Sequence, residues 1–141
     1  MNFFNIQNAY NMKIVRGWDT IFWAIDFHST ICEGKYESKQ VFEFYPFAKE
    51  VLQFLSIQED TCLILYTCSH PIEIYRMQQF LKQNNILFKY VNCNPEVPNT
   101  ALGNYKDKFY FNILLEDKSG FESSDWIEIK KILKRIYEVK I

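Results

Sequence analysis

Three largely apolar runs, each ending abruptly at acidic or hydroxyl residues, constrain the fold of this chain more than any other feature. The runs and the polar residues that end them are 21–25 before Asp26, 62–66 before Thr67, and 111–115 before Glu116 and Asp117. Apolar runs of this length are typical of strands that are buried on both faces of a sheet. We therefore predict that all three are strands of one central sheet.

Helical patterns alternate with these runs. Pro46 and Pro71 each open one, because proline is well tolerated at the first helical position, and Ser123 or Ser124 caps the last. Residues 86–91 predict one further strand. The three predicted apolar stripes are Phe47, Val51, Leu52 and Leu55; Ile74, Met77, Phe80 and Leu81; and Ile129, Ile132, Leu133 and Ile136. This alternation predicts an α/β fold, a three-layer Rossmann-like domain with a mainly parallel central sheet and helices on both faces.

Two segments fall outside this pattern. Residues 1–18 are an N-terminal extension of unclear structure, for which an extra strand, a packed arm and a partner contact all remain open. Residues 19–141 are the predicted α/β domain, since 141 residues suffice for one domain with its own core. Within it, residues 92–107 form a long polar connection, and a loop of that length in a compact domain is usually functional or mobile.

The charge balance and the cysteine pattern exclude several protein classes. The net charge of −1 argues against a generic nucleic-acid or anionic-membrane binder, which needs a strong positive field. Acidic residues interrupt every apolar run before it reaches the length of a membrane span, and no secretory-signal pattern opens the chain. The four cysteines form no Cys-x-x-Cys pair, so the spacing of zinc ligands is absent. Three of them lie in or beside apolar runs, as free core cysteines do, so we expect a reducing, cytoplasmic compartment. Self-association remains open, because aromatic residues make up 18% of the chain.

The polar residues at the strand ends belong together chemically. Ligands of parallel sheets bind beyond the carboxyl ends of the strands, so Asp26, Glu116 and Asp117 should converge there if their strands are neighbours. Two carboxylates ~4 Å apart repel by ~4 kcal/mol at an effective dielectric constant of ~20. A cation relieves that repulsion, and an all-oxygen ligand set suits Mg²⁺. The sequence therefore predicts a magnesium site at this edge of the sheet.

Four motifs, in order, resemble those of the haloacid dehalogenase superfamily. Residues 25–31, Ile-Asp-Phe-His-Ser-Thr-Ile, are similar to its first motif, Asp-x-Asp-x-Thr after a buried strand. Residues 63–67 resemble the second, an apolar strand ending in Ser or Thr, and residues 114–117 the fourth, an apolar strand ending in paired acids. The lysine of the third motif would fall on Lys108, with Lys106 as the alternative. The resemblance covers roughly residues 20–137, and four motifs in order are fairly specific.

The resemblance implies a phosphatase and a role for each matching residue. Asp26 would be the nucleophile that forms an aspartyl-phosphate, Thr67 would donate to a phosphoryl oxygen, and Lys108 would neutralise charge. The implied Mg²⁺ ligands are the Asp26 carboxylate, the backbone carbonyl of His28, Glu116 and Asp117. Phosphoryl transfer consists largely of positioning and charge neutralisation, which such a site supplies.

The chain departs from the family pattern at three positions. His28 replaces the general-acid aspartate, Ser29 replaces a glycine, and Glu116 replaces the first aspartate of the final pair. A histidine with a reference pKa of ~6.5 can exchange a proton near neutrality, but an imidazolium beside Mg²⁺ is electrostatically disfavoured. Loss of a general acid removes ~10²–10⁴ in rate. Two interpretations stand: a weakly active phosphatase, or a degenerate domain that binds metal, phosphate or a protein partner without turnover.

The spacing of the motifs leaves no room for a large cap domain after Thr30, after Thr67 or after Val91. We therefore expect an open site that admits small phosphate esters and phosphorylated macromolecules alike, and the class of phosphorylated substrate stays unknown. A receiver-type domain phosphorylated on Asp26 is a third interpretation. It fits less well, because Thr30 and the order of the motifs match the phosphatase pattern.

Overall fold

A four-stranded sheet, parallel throughout, forms the centre of the fold and confirms the predicted α/β class. The computed structural model describes residues 4–33 and 41–138. The strands are β1 (Ile21–Ile25), β2 (Thr61–Leu65), β3 (Tyr90–Val91) and β4 (Ile113–Leu115), in the order β3-β2-β1-β4 across the sheet. Every residue of β1 is buried, as expected for a central strand of a parallel sheet.

Four helices and two short 3₁₀ turns accompany the sheet. The helices are α1 (Phe4–Arg16), α2 (Ala48–Ser56), α3 (Pro71–Gln83) and α4 (Trp126–Tyr137), and the 3₁₀ turns Asp117–Ser119 and Ser123–Asp125 lie between β4 and α4. α3 begins at Pro71, as predicted, because proline lacks the N–H that the first helical turn leaves unpaired. The predicted stripes of α3 and α4 face the core, with Met77, Leu81, Ile129 and Leu133 buried.

The start of α2 differs from the prediction. α2 begins at Ala48 rather than at Pro46, because Phe47 has a left-handed backbone conformation, with a φ of 70°, that a right-handed helix excludes. The Phe47 side chain is 40% exposed and does not join the predicted stripe. The other predicted members of that stripe, Val51, Leu52 and Leu55, are buried.

The start of α4 also differs. Ser123 and Ser124 lie inside the 3₁₀ turn that precedes the helix, so neither serine is its N-cap. Glu122 and Asp125 instead form a capping box around this turn. The side chain of each residue accepts the backbone N–H of the other. The box caps the 3₁₀ turn that leads into α4, whereas the N-cap residue of α4 itself, Asp125, makes no side-chain capping bond to that helix.

Two strands are shorter than the sequence predicted. Only Tyr90–Val91 of the segment 86–91 pairs with β2, as a short strand at the edge of the sheet. β4 begins at Ile113, because the side chain of Asn112 accepts the N–H of Phe22 at 2.8 Å in place of a strand carbonyl. Asparagine side chains compete with the ladder in this way, so regular pairing with β1 starts after Asn112.

The two faces of the sheet are covered differently. Alternate residues of a strand point to opposite faces. Trp23 and Ile25 of β1 belong to the main core, which contains buried residues from all four helices. Phe22 of β1 belongs instead to a smaller cluster with Cys62 and Ile64 of β2. The helices of the described residues therefore bury their apolar sides on one face only.

The connection between β3 and β4 covers the second face. Its apolar side chains that pack on this smaller cluster are Val97, Phe109, Tyr110 and Phe111. The prediction of helices on both faces is wrong in this respect, since no helix forms between β3 and β4 among the described residues. Pro95 and Pro98 disfavour a helix at the start of this connection, because proline removes a helical hydrogen bond and clashes with the preceding turn.

The N-terminal extension contains α1, which packs into the main core. Ile6, Ala9 and Tyr10 are buried there. The Tyr10 hydroxyl accepts a hydrogen bond from Trp23 Nε1 in β1 (3.3 Å) and forms another with the Tyr137 hydroxyl in α4 (3.2 Å), whose own proton goes to Asp60 (2.6 Å). Residues 4–16 are thus a packed arm, one of the three structures left open for the extension, and residues 1–3 lie outside the described part of the chain.

No cap domain is present in residues 4–33 and 41–138, as the motif spacing predicted. Residues 34–40, in the connection that follows β1, lie outside this description. The site at the carboxyl edge of the sheet is therefore not covered by any additional domain among the described residues. None of the described helices is long and apolar enough to cross a membrane.

Candidate functional site

The strand ends place the predicted polar residues in one row. Ile25 of β1 pairs with Leu65 of β2 and with Leu115 of β4. The residues that directly follow these three are Asp26, Tyr66 and Glu116. The N–H of Asp26 donates to the Leu115 carbonyl, and the N–H of Tyr66 donates to the Ile25 carbonyl, both at 2.9 Å. These hydrogen bonds extend the parallel ladder by one residue and bring the three side chains to the same edge.

Three carboxylates converge at this edge. Asp26, Glu116 and Asp117 each offer an oxygen, and these oxygens lie within 4.8 Å of one another. Burial raises the pKa of Asp26 to about 6, and the negative charges of Glu116 and Asp117 act in the same direction. Burial also raises the pKa of Glu116, with a further contribution from its hydrogen bond with Asp117. The cluster therefore resists carrying its full negative charge without a cation.

A cavity of about 390 Å³ opens beside the carboxylates. Its lining residues are Asp26, His28, Ser29, Tyr66, Thr67, Cys68, Ser69, Glu116, Asp117 and Lys118. Five of the six predicted site residues line this cavity. Lys108 is not among them, and neither is the alternative, Lys106; both are exposed residues of the connection between β3 and β4.

Lys118 lines the cavity, although the sequence analysis did not identify it as a candidate site residue. It lies in the 3₁₀ turn that follows the two acids, and its positive charge lowers the pKa of both Asp26 and Glu116 against the effect of burial. The signal that could have identified it is its position next to Asp117, because a residue adjacent to the motif follows the motif into the site.

Hydrogen bonds within the chain segment 116–121 hold Lys118 in place. The carbonyl of Glu116 accepts the N–H of Ser119 (3.0 Å), the Ser119 hydroxyl (2.8 Å) and the N–H of Phe121 (3.3 Å). Gly120 has a φ of 99°, a conformation that glycine adopts without strain. Phe121 is buried and packs against Trp126 at the start of α4, 5.3 Å between ring centroids. The turn is thereby anchored to the core.

Asn92 holds Thr67 at the opposite wall of the cavity. The Asn92 side chain accepts the Thr67 N–H at 2.9 Å and donates to the Thr67 carbonyl at 2.6 Å. The Thr67 hydroxyl donates to the Ser69 hydroxyl at 3.1 Å and accepts the Ser69 N–H at 3.2 Å. Sequence reasoning missed Asn92, although an asparagine directly after a strand is a frequent turn residue.

The turn after β1 presents His28 and Ser29 to the cavity. The carbonyl of Phe27 accepts the N–H groups of Ile31 (2.9 Å) and Cys32 (3.1 Å), which closes the turn. Ser29 has a φ of 60°, in the left-handed region that favours glycine. The glycine that the family pattern places here therefore corresponds to a real conformational requirement of this chain, and Ser29 meets it with strain.

His28 is half-buried against aromatic rings. Its ring centroid lies 5.4 Å from that of Phe27 and 6.4 Å from that of Phe42. Burial lowers the pKa of His28 below its ordinary value, although the negative charge of Glu73 opposes the shift. The imidazole is consequently neutral at pH 7, in which state it accepts a proton more readily than it donates one.

The donor set fits magnesium better than a softer metal. Asp26, Glu116 and Asp117 offer carboxylate oxygens only, and hard oxygen ligands are those that Mg²⁺ prefers. Zinc sites are typically built from histidine nitrogen and cysteine sulfur. Cys68 lines the cavity but is not one of the residues whose ligand atoms converge. The chemistry of the converging atoms thus supports the predicted magnesium site.

Comparison with known proteins gives little beyond the fold. No family model matches the chain, and no curated protein matches its sequence. A solved structure of a conserved protein from Bacteroides thetaiotaomicron is similar, with a TM-score of 0.64 and 25% sequence identity over 82% of this chain and 91% of that chain. This likeness supports the α/β fold class.

Proposed function

We propose that this protein is a Mg²⁺-dependent phosphomonoester hydrolase that acts through an aspartyl-phosphate on Asp26. The observation that carries the proposal is the convergence of Asp26, Glu116 and Asp117 within 4.8 Å at the carboxyl edge of the sheet, beside a cavity that Thr67 also lines. The resemblance of the four motifs to the haloacid dehalogenase superfamily supports the same activity.

The proposed reaction has two steps. A carboxylate oxygen of Asp26 attacks the phosphorus, and the bond from phosphorus to the leaving oxygen breaks, which gives an acyl phosphate and an alcohol or phenol. Water then hydrolyses the acyl phosphate and returns the carboxylate and inorganic phosphate. Asp26, Glu116 and Asp117, with the His28 carbonyl, would hold Mg²⁺, which when bound neutralises the negative charge of the carboxylates and the phosphoryl group. The Thr67 hydroxyl would donate to a phosphoryl oxygen.

Two lysines are candidates for the positive charge that contacts the phosphoryl group. The motif order assigns this role to Lys108, which lies outside the cavity lining. The cavity favours Lys118, which lines the wall that the acidic residues form. We propose Lys118 for this role, because the field of a charge falls with distance and is screened in solvent.

His28 limits the rate of the proposed reaction. Departure of the alcohol requires a proton, and an imidazole whose pKa is lowered by burial is mostly deprotonated at pH 7. We therefore propose weak activity, because little of the imidazole carries the proton that the leaving group needs. The same observation favours a second candidate function, a degenerate domain that binds metal, phosphate or a protein partner without turnover.

Hydrolysis of a generic aryl phosphate, with and without Mg²⁺ and between about pH 5 and 9, tests these two functions. We expect Mg²⁺-dependent turnover in the wild type, none in Asp26→Asn, and a higher rate in His28→Asp. Asp107→Asn is the matched control, since Asp107 is exposed and does not line the cavity. Turnover in His28→Asp alone would favour the binding function, and full activity in Asp26→Asn would reject Asp26 as the nucleophile.

A further inference from the structure

Among the described residues that line the cavity, Tyr66 is the one large aromatic side chain. The other lining residues carry carboxylate, hydroxyl, thiol, amine or imidazole groups. The Tyr66 side chain is 39% exposed. An apolar ring that remains partly in water next to a polar cavity offers a surface on which the non-phosphate part of a ligand can be buried.

The position of the Tyr66 main chain relative to Asp26 is fixed by a backbone hydrogen bond. Tyr66 directly precedes Thr67 and follows β2, and its N–H donates to the carbonyl of Ile25, the residue before Asp26 (2.9 Å). A phosphoryl group held between Asp26 and Thr67 would therefore have Tyr66 as its immediate neighbour. A group attached to the leaving oxygen would be within reach of the ring.

The ring of Tyr66 also packs against another aromatic side chain. Its centroid lies 6.1 Å from that of Phe109, and the centroid of Phe109 lies 5.7 Å from that of Phe111. Both phenylalanines belong to the connection that covers the second face of the sheet and pack on the cluster around Phe22. Contacts of this kind restrict the rotamers of Tyr66, so little side-chain entropy remains to be lost when a ligand stacks on it.

The size of the cavity leaves room for more than a phosphate. Ligand sites of roughly 300 to 1,000 Å³ accommodate drug-sized molecules, and this cavity of about 390 Å³ lies at the lower end of that range. Among the described residues no cap domain contributes further contacts. Residues of the cavity wall are therefore the available contacts for a leaving group in the described part of the chain, and Tyr66 offers the largest apolar surface among them.

We propose that Tyr66 is a stacking platform and that the substrates are phosphomonoesters whose leaving group carries a planar aromatic ring. This inference rests on the proposed function for the identity of the phosphate site. The shared chemistry is a phosphate ester a short distance from an aromatic ring. Nucleoside monophosphates and phosphotyrosine both supply it.

Binding of non-hydrolysable analogues tests the platform whether or not the protein turns over. The probes are the 5′-phosphonate analogues of thymidine monophosphate and of 2-deoxyribose 5-phosphate, which are matched except for the base, titrated with Mg²⁺ in a calorimeter. Base–aromatic stacking strengthens binding by about 5- to 100-fold, and we expect about 5- to 10-fold here because Tyr66 is partly exposed. Tyr66→Ala should remove the difference, and Tyr66→Phe should keep it. Equal affinities in the wild type, or a preference that survives in Tyr66→Ala, would overturn the inference.

Tyr75→Ala is the matched control, because Tyr75 is 59% exposed on α3 and does not line this cavity. Hydrolysis of thymidine monophosphate and 2-deoxyribose 5-phosphate, and of phosphotyrosine and phosphoserine, forms the second arm. A preference for one aromatic member identifies its source as nucleoside or tyrosine. Base-dependent binding without any hydrolysis would retain the platform and reject the phosphatase, whereas hydrolysis without any ring preference would do the reverse.

Discussion

One carboxylate oxygen of Asp26 accepts a hydrogen bond of 2.8 Å from the N–H of Phe27, the next residue along the chain. This bond stabilises the ionised form and partly offsets the effect of burial on the pKa of Asp26. It also fixes the orientation of the carboxylate at the edge of the sheet. With one oxygen held by the Phe27 N–H, the other oxygen of the Asp26 carboxylate has a fixed position relative to Glu116 and Asp117.

Asp26→Asn should stabilise the Mg²⁺-free protein at pH 7, by about 1 kcal/mol, because the carboxyl is only partly buried and solvent screens it. The folded-state pKa of about 6 exceeds the ordinary aspartate value of 3.8, so the folded state binds the proton more tightly. The contribution of Asp26 to wild-type stability should therefore fall as the pH rises from about 4 to 6, and the variant should lack this contribution. Urea unfolding across this range measures both effects.

The same variant should respond less to Mg²⁺. A metal that binds only the folded state raises stability with its concentration, and Asp26→Asn removes one of three converging carboxylates. Asp107→Asn should keep the wild-type response. An Asp26→Asn protein that is less stable than the wild type at pH 7 without Mg²⁺ would contradict the electrostatic account of the site.

Lys118→Met should lower kcat/KM for a phosphomonoester by about 10- to 100-fold, because it removes a positive charge from the cavity wall where charge develops in the transition state. Lys108→Met is the matched control and should lose less than about twofold. Steady-state kinetics of both variants measure the difference. The reverse result, a loss confined to Lys108→Met, would restore the assignment that the motif order gives.

Ser29→Gly should stabilise the protein by about 1 kcal/mol, because Ser29 has a φ of 60° and the left-handed conformation costs an L-residue about that much. Asn85→Gly provides a comparison at a φ of 59°, where the gain should be smaller, since asparagine tolerates this conformation. Chemical denaturation of the two variants in parallel reports the difference. Equal gains would show that Ser29 carries no additional strain.

Gly120→Ala should destabilise the protein by about 1–2 kcal/mol through backbone strain alone, since its φ is 99° and an added Cβ would meet no atom within 4 Å. Gly17→Ala is the matched control, with a φ of 66° and equally open surroundings at the end of α1. Both variants should lower the free energy of unfolding, but only Gly120→Ala should weaken Mg²⁺ binding, because it disturbs the turn that carries Asp117 and Lys118. If the two variants changed the Mg²⁺ affinity equally, the conformation of the turn at Gly120 would have no specific role in Mg²⁺ binding.

Much of the site could be predicted because it is encoded locally. Asp26, Thr67 and Glu116 each follow a buried apolar run, and the carboxyl ends of parallel strands meet at one edge by geometry. The prediction needed no knowledge of loop conformation. The same reasoning predicted the α/β class and the start of α3 at a proline, and the structure confirms both.

The remaining features depend on contacts that no local pattern encodes. Lys108 was predicted from its place in the order of the motifs, but where it lies depends on the path of residues 92–112, which carry aromatic side chains over the second face of the sheet. That path is set by tertiary packing and by two prolines. The prediction that Phe47 belongs to the helix was wrong for a related reason. Its left-handed backbone conformation excludes it from α2 even though its side chain fits the apolar pattern.

The packing of α1 has a practical consequence for anyone who shortens this chain. A truncated version that begins at Asp19 would retain every residue of the candidate site and would match the boundary suggested by sequence. It would also remove Tyr10 from above Trp23, which is fully buried, and expose to solvent the apolar surface that α1 now covers. Such patches promote aggregation, so inactivity of a trimmed protein would report lost solubility and give no information about its chemistry.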